Sequence, residues 1–334
     1  MDITGFLRFI GGLALFLYGM HVLGEGLARL SGGKLEGILA RMTDSPFKGV
    51  LLGAGVTAVI QSSSATTVMV VGFVNAGIMQ LKQAVGIILG ANIGTTITSW
   101  ILSLSGIQGD ALFLKLLKPE NFAPIAAIVG VSFLMFGSSD RKKEIGGILA
   151  GFAVLMTGMD TMSAAVAPLR DIPSFTRLFT AFQNPMMGLI AGAVLTAIIQ
   201  SSSASVGILQ ALCATGTIPY AAAIPIILGQ NIGTCITALL SSIGASTNGR
   251  RAAFIHLYFN LIGTALFLPV VYLLRYLFPI GLFQQAATPA SVALIHSLFN
   301  VSAVFLLLPF SYKLVALARL SVPDKAYCGA PEQS

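Results

Sequence analysis

The chain has 334 residues, 55% of them hydrophobic and only 9% charged, with a mean hydropathy of +0.88. Soluble domains carry roughly 25% charged residues, so this composition cannot clothe a water-soluble enzyme and suits a polytopic protein whose outer surface faces lipid. Disorder and nucleic-acid binding are excluded with it, and the net charge of +7 comes from Lys and Arg in short polar segments between apolar runs, where they read as topology signals.

In chain order, the apolar stretch from Ile3 has no basic leader region and no small-residue cleavage site, so it reads as a retained first helix over about 5–27. Spanning segments of about 20 residues follow at 84–106, 122–139, 145–166, 220–244, 252–274 and 291–311, making seven in all. Two other segments, about 47–80 and 186–218, are longer but carry a polar break in the middle. Two half-helices of about 20 Å each fit a re-entrant hairpin that does not cross. A polar tail runs from Ser321 to Ser334. Cys213, Cys235 and Cys328 form no CxxC pair and no even set, so neither a disulfide framework nor a zinc site is indicated.

The chain repeats itself at a shift of 139 without a gap. Gln61-Ser62-Ser63-Ser64 returns as Gln200-Ser201-Ser202-Ser203, and Asn92-Ile93-Gly94-Thr95 as Asn231-Ile232-Gly233-Thr234. Gly12, Gly19, Pro46, Gly49 and Thr57 also find mates in Gly151, Gly158, Pro185, Gly188 and Thr196. Matches of glycine, proline and polar residues inside apolar runs indicate duplicated backbone geometry. The reading is a first transport repeat over 1–139, a second over 140–274, an extra C-terminal transmembrane helix over 275–320 and the tail over 321–334.

With the hairpins not crossing, Arg29, Lys34, Arg41, Lys48, Lys82, Arg141, Lys142, Lys143, Arg250, Arg251, Lys313, Arg319 and Lys325 fall on one side. Lys115, Lys118, Arg170, Arg177 and Arg275 fall opposite. The basic side is expected to be cytoplasmic, placing the N-terminus outside and the C-terminus inside and making the second repeat upside down relative to the first. The fold class is thus an all-α polytopic membrane protein of two inverted-topology repeats, each with a re-entrant helical hairpin and a broken transmembrane helix.

Ser-rich stretches in membrane helices often bond their own preceding carbonyls or let neighbours approach. Two copies in register, each followed by Asn-Ile-Gly-Thr, instead suggest helix breaks lining a site. Exposed helix N-termini with serine hydroxyls suit an anion, and carbonyl ends with Thr, Ser, Gln and Asn oxygens suit a small hard cation such as Na⁺. Gly90, Gly94, Gly229 and Gly233 tolerate an unwound stretch, and Gly86 and Pro225 weaken the helix before it. No Lys or Arg lies within either motif, so an anion there would be held by hydroxyls, amides and dipoles, with co-bound cations balancing its charge.

These motifs, with His256-Leu-Tyr-Phe-Asn260 after the second, resemble the sodium-dependent phosphate cotransporters of the type II group and their bacterial relatives, over nearly the whole chain. The resemblance implies a secondary transporter of the bacterial inner membrane that imports inorganic phosphate with sodium by alternating access, and no enzyme. It implies that Ser62, Ser63, Ser64, Ser201, Ser202, Ser203, Asn92 and Asn231 touch phosphate. It further implies one sodium site at Gln200, Ser201, Thr234 and Thr237, and by pseudo-symmetry another at Gln61, Ser62, Thr95 and Thr98. The lipid bilayer is the other partner, and a homo-oligomer is left open. The sequence departs from the family in lacking a His-x-x-Phe-Asn element between Ser105 and Ile128, while a second one, His296-Ser-Leu-Phe-Asn300, follows the first at a shift of 40.

Each His and Asn pair lies at i, i+4 and shares a helix face, which favours helix-packing hydrogen bonds. Glu25, Asp160 and His21 read as interfacial caps or cavity-facing groups, with a coupling role as the alternative. Cys235, the mate of Thr96, reads as near the site without being a ligand, and Trp100 as an interfacial anchor. Three rivals remain: an anion channel, a sodium-coupled carrier of another oxyanion or a dicarboxylate, and an intramembrane hydrolase. Duplicated serines without an in-register histidine speak against the last.

Overall fold

The computed structural model describes residues 3–30, 45–106, 119–168, 172, 181–277 and 281–324. The helices in chain order are α1 (Ile3–Leu30), α2 (Pro46–Ile60), α3 (Ser63–Asn75), α4 (Leu81–Ser103), α5 (Pro119–Phe136) and α6 (Asp140–Val166). They continue with α7 (Pro185–Ile199), α8 (Ser202–Cys213), α9 (Tyr220–Ser241), α10 (Thr247–Leu277), α11 (Pro289–Leu307) and α12 (Ser311–Ser321). Among the described residues the only β pairing is a single bridge between Pro219 and Ala286. Among the described residues six stretches are long and apolar enough to cross a bilayer: α1, α4 with the turn after it, α6, α9, α10, and α11 together with α12. Large apolar side chains such as Ile198, Phe136 and Phe305 stand on the outer surface, so the chain is a multi-pass membrane protein.

The segment expected to cross at 122–139 is α5, which ends at Phe136; the Gly137 N–H then bonds the Phe133 carbonyl. It belongs with the shorter apolar helices. Of the residues used to orient the chain, Lys34, Arg41, Lys115, Lys118, Arg170, Arg177 and Lys325 lie outside the described residues, as does Cys328.

The mates α1 and α6 form a glycine seam. A Cβ on Gly12 would meet the Met162 Cγ at 3.0 Å, one on Gly19 the Leu155 Cα at 2.6 Å, and one on Gly26 the Ile148 Cγ1 at 2.7 Å. Gly151 and Gly158 face Leu23 and Phe16 just as closely. Small residues let the backbones touch, which is how membrane helices gain packing without a hydrophobic driving force. Contacts climb α1 as they descend α6, so the two helices run antiparallel.

Each Gln-Ser-Ser-Ser motif is a joint between two half-helices. Gln61 ends α2 in the left-handed region (φ 59°, ψ 24°), and Ser62 caps α3, its Oγ accepting the Ala65 N–H at 3.1 Å. Gln200 (φ 57°, ψ 22°) and Ser201, whose Oγ accepts the Ala204 N–H at 3.2 Å, repeat the arrangement between α7 and α8. The arms fold back on themselves. The Thr57 hydroxyl donates to the Thr66 hydroxyl at 2.9 Å, and the Thr196 hydroxyl to that of Ser205 at 2.7 Å, contacts that residues nine apart on a straight rod could not make. At 1.5 Å per residue α2 reaches about 22 Å, short of a hydrocarbon core of about 30 Å.

The expected broken helices, about 84–106 and 220–244, are corrected by the structure: α4 and α9 run unbroken through both Asn-Ile-Gly-Thr stretches, and α9 continues past Pro225. The polar side chains are satisfied on their own preceding turn. Asn92 donates to the Ile88 carbonyl at 2.9 Å and Thr95 to that of Ala91 at 3.1 Å. Their mates Asn231 and Thr234 donate to Ile227 and Gln230 at 2.8 and 2.9 Å. The glycines serve close packing instead. A Cβ on Gly94 would sit 2.6 Å from the Ala54 carbonyl oxygen, one on Gly86 3.1 Å from the Gly49 Cα, and one on Gly233 2.8 Å from the Thr196 Cβ. Positions rise together along α2 and α4, and along α7 and α9, so each first arm lies parallel to the long helix of its own copy.

The second arms lie between the copies, α3 packing on both α4 and α9 and α8 on both α9 and α4, while the two second arms scarcely touch one another. The C-terminal helices complete the arrangement, with α10 lying against α9 and α11 against α4. The helix after the two copies thus occupies, beside the first, the place that α10 occupies beside the second.

Candidate substrate and ion site

The residues expected to hold phosphate and sodium gather around the two joints. In the first, Gln61 is 4% exposed; its amide donates to the Ala58 carbonyl and its Oε1 accepts the Thr98 hydroxyl at 2.9 Å. This brings two of the four expected members of one ion site into direct contact, with α2 supplying one and α4 the other. Ser62 is spent in part on capping, and its carbonyl also accepts the Thr66 hydroxyl at 3.1 Å. Ser63 is buried, and the Ser64 hydroxyl is buried without a partner. The N–H groups of Ser63 and Ser64, at the start of a helix, have no intrahelical acceptor. Thr95 turns its hydroxyl to its own helix.

The second joint has the same backbone and a different side-chain state. Gln200 is exposed, and the Thr237 hydroxyl, mate of Thr98, is buried without a partner. Ser202 and Ser203 are buried while Ser201 caps α8. Thr234 is satisfied by Gln230 O. Among the described residues no hydrogen bond joins Gln200 or Ser201 to Thr234 or Thr237. One orphan buried hydroxyl there and one at Ser64 are donors and acceptors that a hydrated anion or a small cation would satisfy.

Asn92 and Asn231 meet the C-terminal helices through their Oδ1 atoms. The Asn92 Oδ1 accepts from the Asn260 amide at 3.4 Å, and the Asn231 Oδ1 accepts from the Asn300 amide at 3.2 Å and lies 3.3 Å from the His296 Nε2. The other ring nitrogen of His296 meets the Ser99 hydroxyl at 2.8 Å, so this side chain ties α4 of the first copy to α9 of the second. Its mate at the shift of 40, His256, is 1% exposed with both ring nitrogens unpartnered. The difference follows from sequence: Ser99 has Ala238 as its repeat mate, which offers no hydroxyl. The helix-packing role expected for the His and Asn pairs thus holds for Asn260, Asn300 and His296, but they pack against the two Asn-Ile-Gly-Thr asparagines themselves. The i, i+4 spacing marked them; nothing in the spacing named Ser99 or Gln210 as partners. The Gln210 amide, on α8, donates to the Ser99 carbonyl at 3.0 Å and adds a second link between copies.

Cys235 is fully buried beside this network, 3.3 Å from the Asn260 amide nitrogen. Trp100 donates its indole N–H to the Ser297 hydroxyl at 2.9 Å, joining α4 to α11. Glu25 is half-exposed on α1 with Arg29 at 2.9 Å and His21 at 3.3 Å, and a cavity of about 370 Å³ runs from His21 and Glu25 to Gln61 and Ser62. Among the described residues no cluster of His, Cys, Asp and Glu is arranged to hold a metal. Any cation at the joints would be held by hydroxyl, amide and carbonyl oxygens, which suits an alkali ion.

A profile of the family described as Na⁺/Pi-cotransporter matches residues 15–164 and 173–305. Among similar proteins, YqeW of Bacillus subtilis (strain 168) is 32% identical over 94% of this chain and 97% of its own length. YjbB of Salmonella typhimurium, whose name marks it as a proposed inorganic phosphate export protein, is 27% identical over 96% of this chain, which spans 56% of that protein. Sodium-dependent phosphate transport protein 2A of Rattus norvegicus is 22% identical over 78% of this chain and 60% of its own length. No solved structure matches.

Proposed function

We propose that this chain, which belongs to the Na⁺/Pi-cotransporter family, imports inorganic phosphate across the bacterial inner membrane in company with sodium, by alternating access. Membership of a transporter family sets aside the hydrolase reading. The observation that carries the proposal is the joint made twice: a buried, serine-started half-helix presenting free N–H groups and hydroxyls beside a glutamine and threonines of the first arm and long helix. Helix N-termini bind anions without a fixed positive side chain, and amide and hydroxyl oxygens suit sodium.

In this reading Ser62, Ser63, Ser64, Ser201, Ser202 and Ser203 hold phosphate. Gln61, Ser62, Thr95 and Thr98 hold one sodium, and Gln200, Ser201, Thr234 and Thr237 a second. Asn92 and Asn231 would offer phosphate the second amide hydrogen left over from their bonds to the Ile88 and Ile227 carbonyls. The two copies, 1–139 and 140–274, are inverted, with the N-terminus outside and the C-terminus cytoplasmic; the antiparallel run of α1 and α6 supports the inversion. The name of YjbB favours a second reading in which net movement is outward.

³²P-phosphate flux in proteoliposomes tests this. Accumulation above the external level under an inward sodium gradient, saturable and absent in potassium, supports coupled import. Flux indifferent to sodium removes the coupling, and sodium-driven movement only outward favours export. Ser63→Ala and Ser202→Ala should each weaken transport; unchanged flux in both would move the anion site elsewhere.

A further inference from the structure

A second polar site lies far from the joints, at the edge of the helix bundle. A cavity of about 310 Å³ is lined by Pro46 at the start of α2, Lys82 and Val85 on α4, and Tyr312, Val315 and Arg319 on α12. Lys82 and Arg319 are exposed, and among the described residues neither forms an ion pair and no carboxylate lines the cavity. Two cations without a carboxylate partner among the described residues, over a mainly apolar wall, call for an anion with an apolar body.

The order of polarity along the two helices agrees with a membrane surface. On α4 the chain enters the span after Lys82, and Val85 follows almost one turn deeper on the same face. On α12 the chain runs the other way, so Val315 and Tyr312 lie one and two turns deeper than Arg319. Both cations therefore stand at the same rim, with the exposed Tyr312 below them and Val85 and Val315 buried behind. That rim is also where α10 begins: the buried Arg251 holds the end of α12 through the Val322 carbonyl at 2.9 Å and Asp324 at 3.0 Å.

We propose that this cavity binds an anionic phospholipid, with its headgroup phosphate between Lys82 and Arg319 and the upper part of an acyl chain along the exposed Pro46, Tyr312 and Ala316, over the buried Val85 and Val315. The apolar wall decides between a lipid and free phosphate: a hydrated inorganic anion gains nothing from Pro46, Tyr312 and Ala316, whereas an acyl chain packs on them while its phosphate meets both cations. Because Pro46 closes one side, the bound lipid touches the base of the first hairpin. The proposal is independent of the transported substrate.

The test is native mass spectrometry of the full chain in detergent, titrated with phosphatidylglycerol, with phosphatidylcholine as the neutral headgroup and millimolar inorganic phosphate as competitor. The expected result is preferential retention of one phosphatidylglycerol, undisturbed by inorganic phosphate and weakened roughly fivefold by Lys82→Gln or Arg319→Gln and about 25-fold by both. Ala316→Trp, which fills the cavity and keeps both charges, should also expel the lipid. Lys142→Gln, on the distant α6, should not. Equal retention in the double variant, equal retention of phosphatidylcholine, or displacement by inorganic phosphate would each overturn the proposal.

Discussion

Gln61 and Gln200 adopt the same left-handed backbone to within about two degrees, yet Gln61 is buried against Thr98 while Gln200 is exposed and Thr237 stands without a partner. A duplicated sequence has produced duplicated backbone joints and two different side-chain states. The first joint is closed and the second open. The same split recurs in the C-terminal helices, where His296 bridges Ser99 and Asn231 while His256 is buried and unpartnered. Shared motifs build the frame, and the same glutamine and threonine are latched in one half and apart in the other, while a differing residue, Ser99 against Ala238, accompanies the histidine split.

The largest effect should fall equally on both copies. Gly90→Val and Gly229→Val each drive a branched side chain into a backbone carbonyl, that of Val50 or of Leu189, and should cost about 3 kcal/mol or more. Recovery of monodisperse protein should collapse in both, and survival of one alone would break the equivalence of the two frames. The histidines come next. His296→Phe leaves the Ser99 hydroxyl without its partner, Asn231 keeping Asn300, and should destabilise by about 1–2 kcal/mol, whereas His256→Phe removes two unsatisfied nitrogens and should be neutral or stabilising in thermal melts. Equal melting temperatures would erase the asymmetry described above.

A smaller difference is expected at the joints. Gln61→Leu should lower stability by about 1 kcal/mol through the orphaned Thr98, with Gln200→Leu nearly silent in melts while both impair sodium-dependent flux. Sodium added to the wild type should narrow that gap if it draws Gln200 onto Thr237. The smallest effect belongs to the hydroxyl clasps: Thr57→Val and Thr196→Val should each cost about 0.6 kcal/mol, and equally, because both copies close this contact.

The joints were legible because a glutamine and three serines in an apolar run are costly unless they end a helix, and their recurrence in register removed the casual explanation. The glycines of Asn-Ile-Gly-Thr were misread for a physical reason. Glycine permits both an unwound backbone and a close helix crossing, and only the neighbouring α2, with Ala54 and Thr57 pressed on Gly94, distinguishes them. The i, i+4 pairs at His256 and His296 pointed to packing, but the choice of Asn92 and Asn231 as their partners depends on how α10 and α11 are laid across the copies, which no local pattern encodes. The histidine split was invisible for a related reason: it rests on the single difference of Ser99 against Ala238, which looks trivial in an alignment of the halves, and the joints differ in state with identical Gln and Thr mates.

The parallel seam between α2 and α4 carries a mechanical consequence. With Gly49 on Gly86 and Gly94 on Ala54 and Thr57, there is no lubricating layer of side chains to let one slide along the other, so the pair behaves as a single stiff piston. Whatever displaces the tip at Gln61 must haul Asn92 and Thr98 with it, and the play in each copy is left to the second arm beyond the left-handed glutamine.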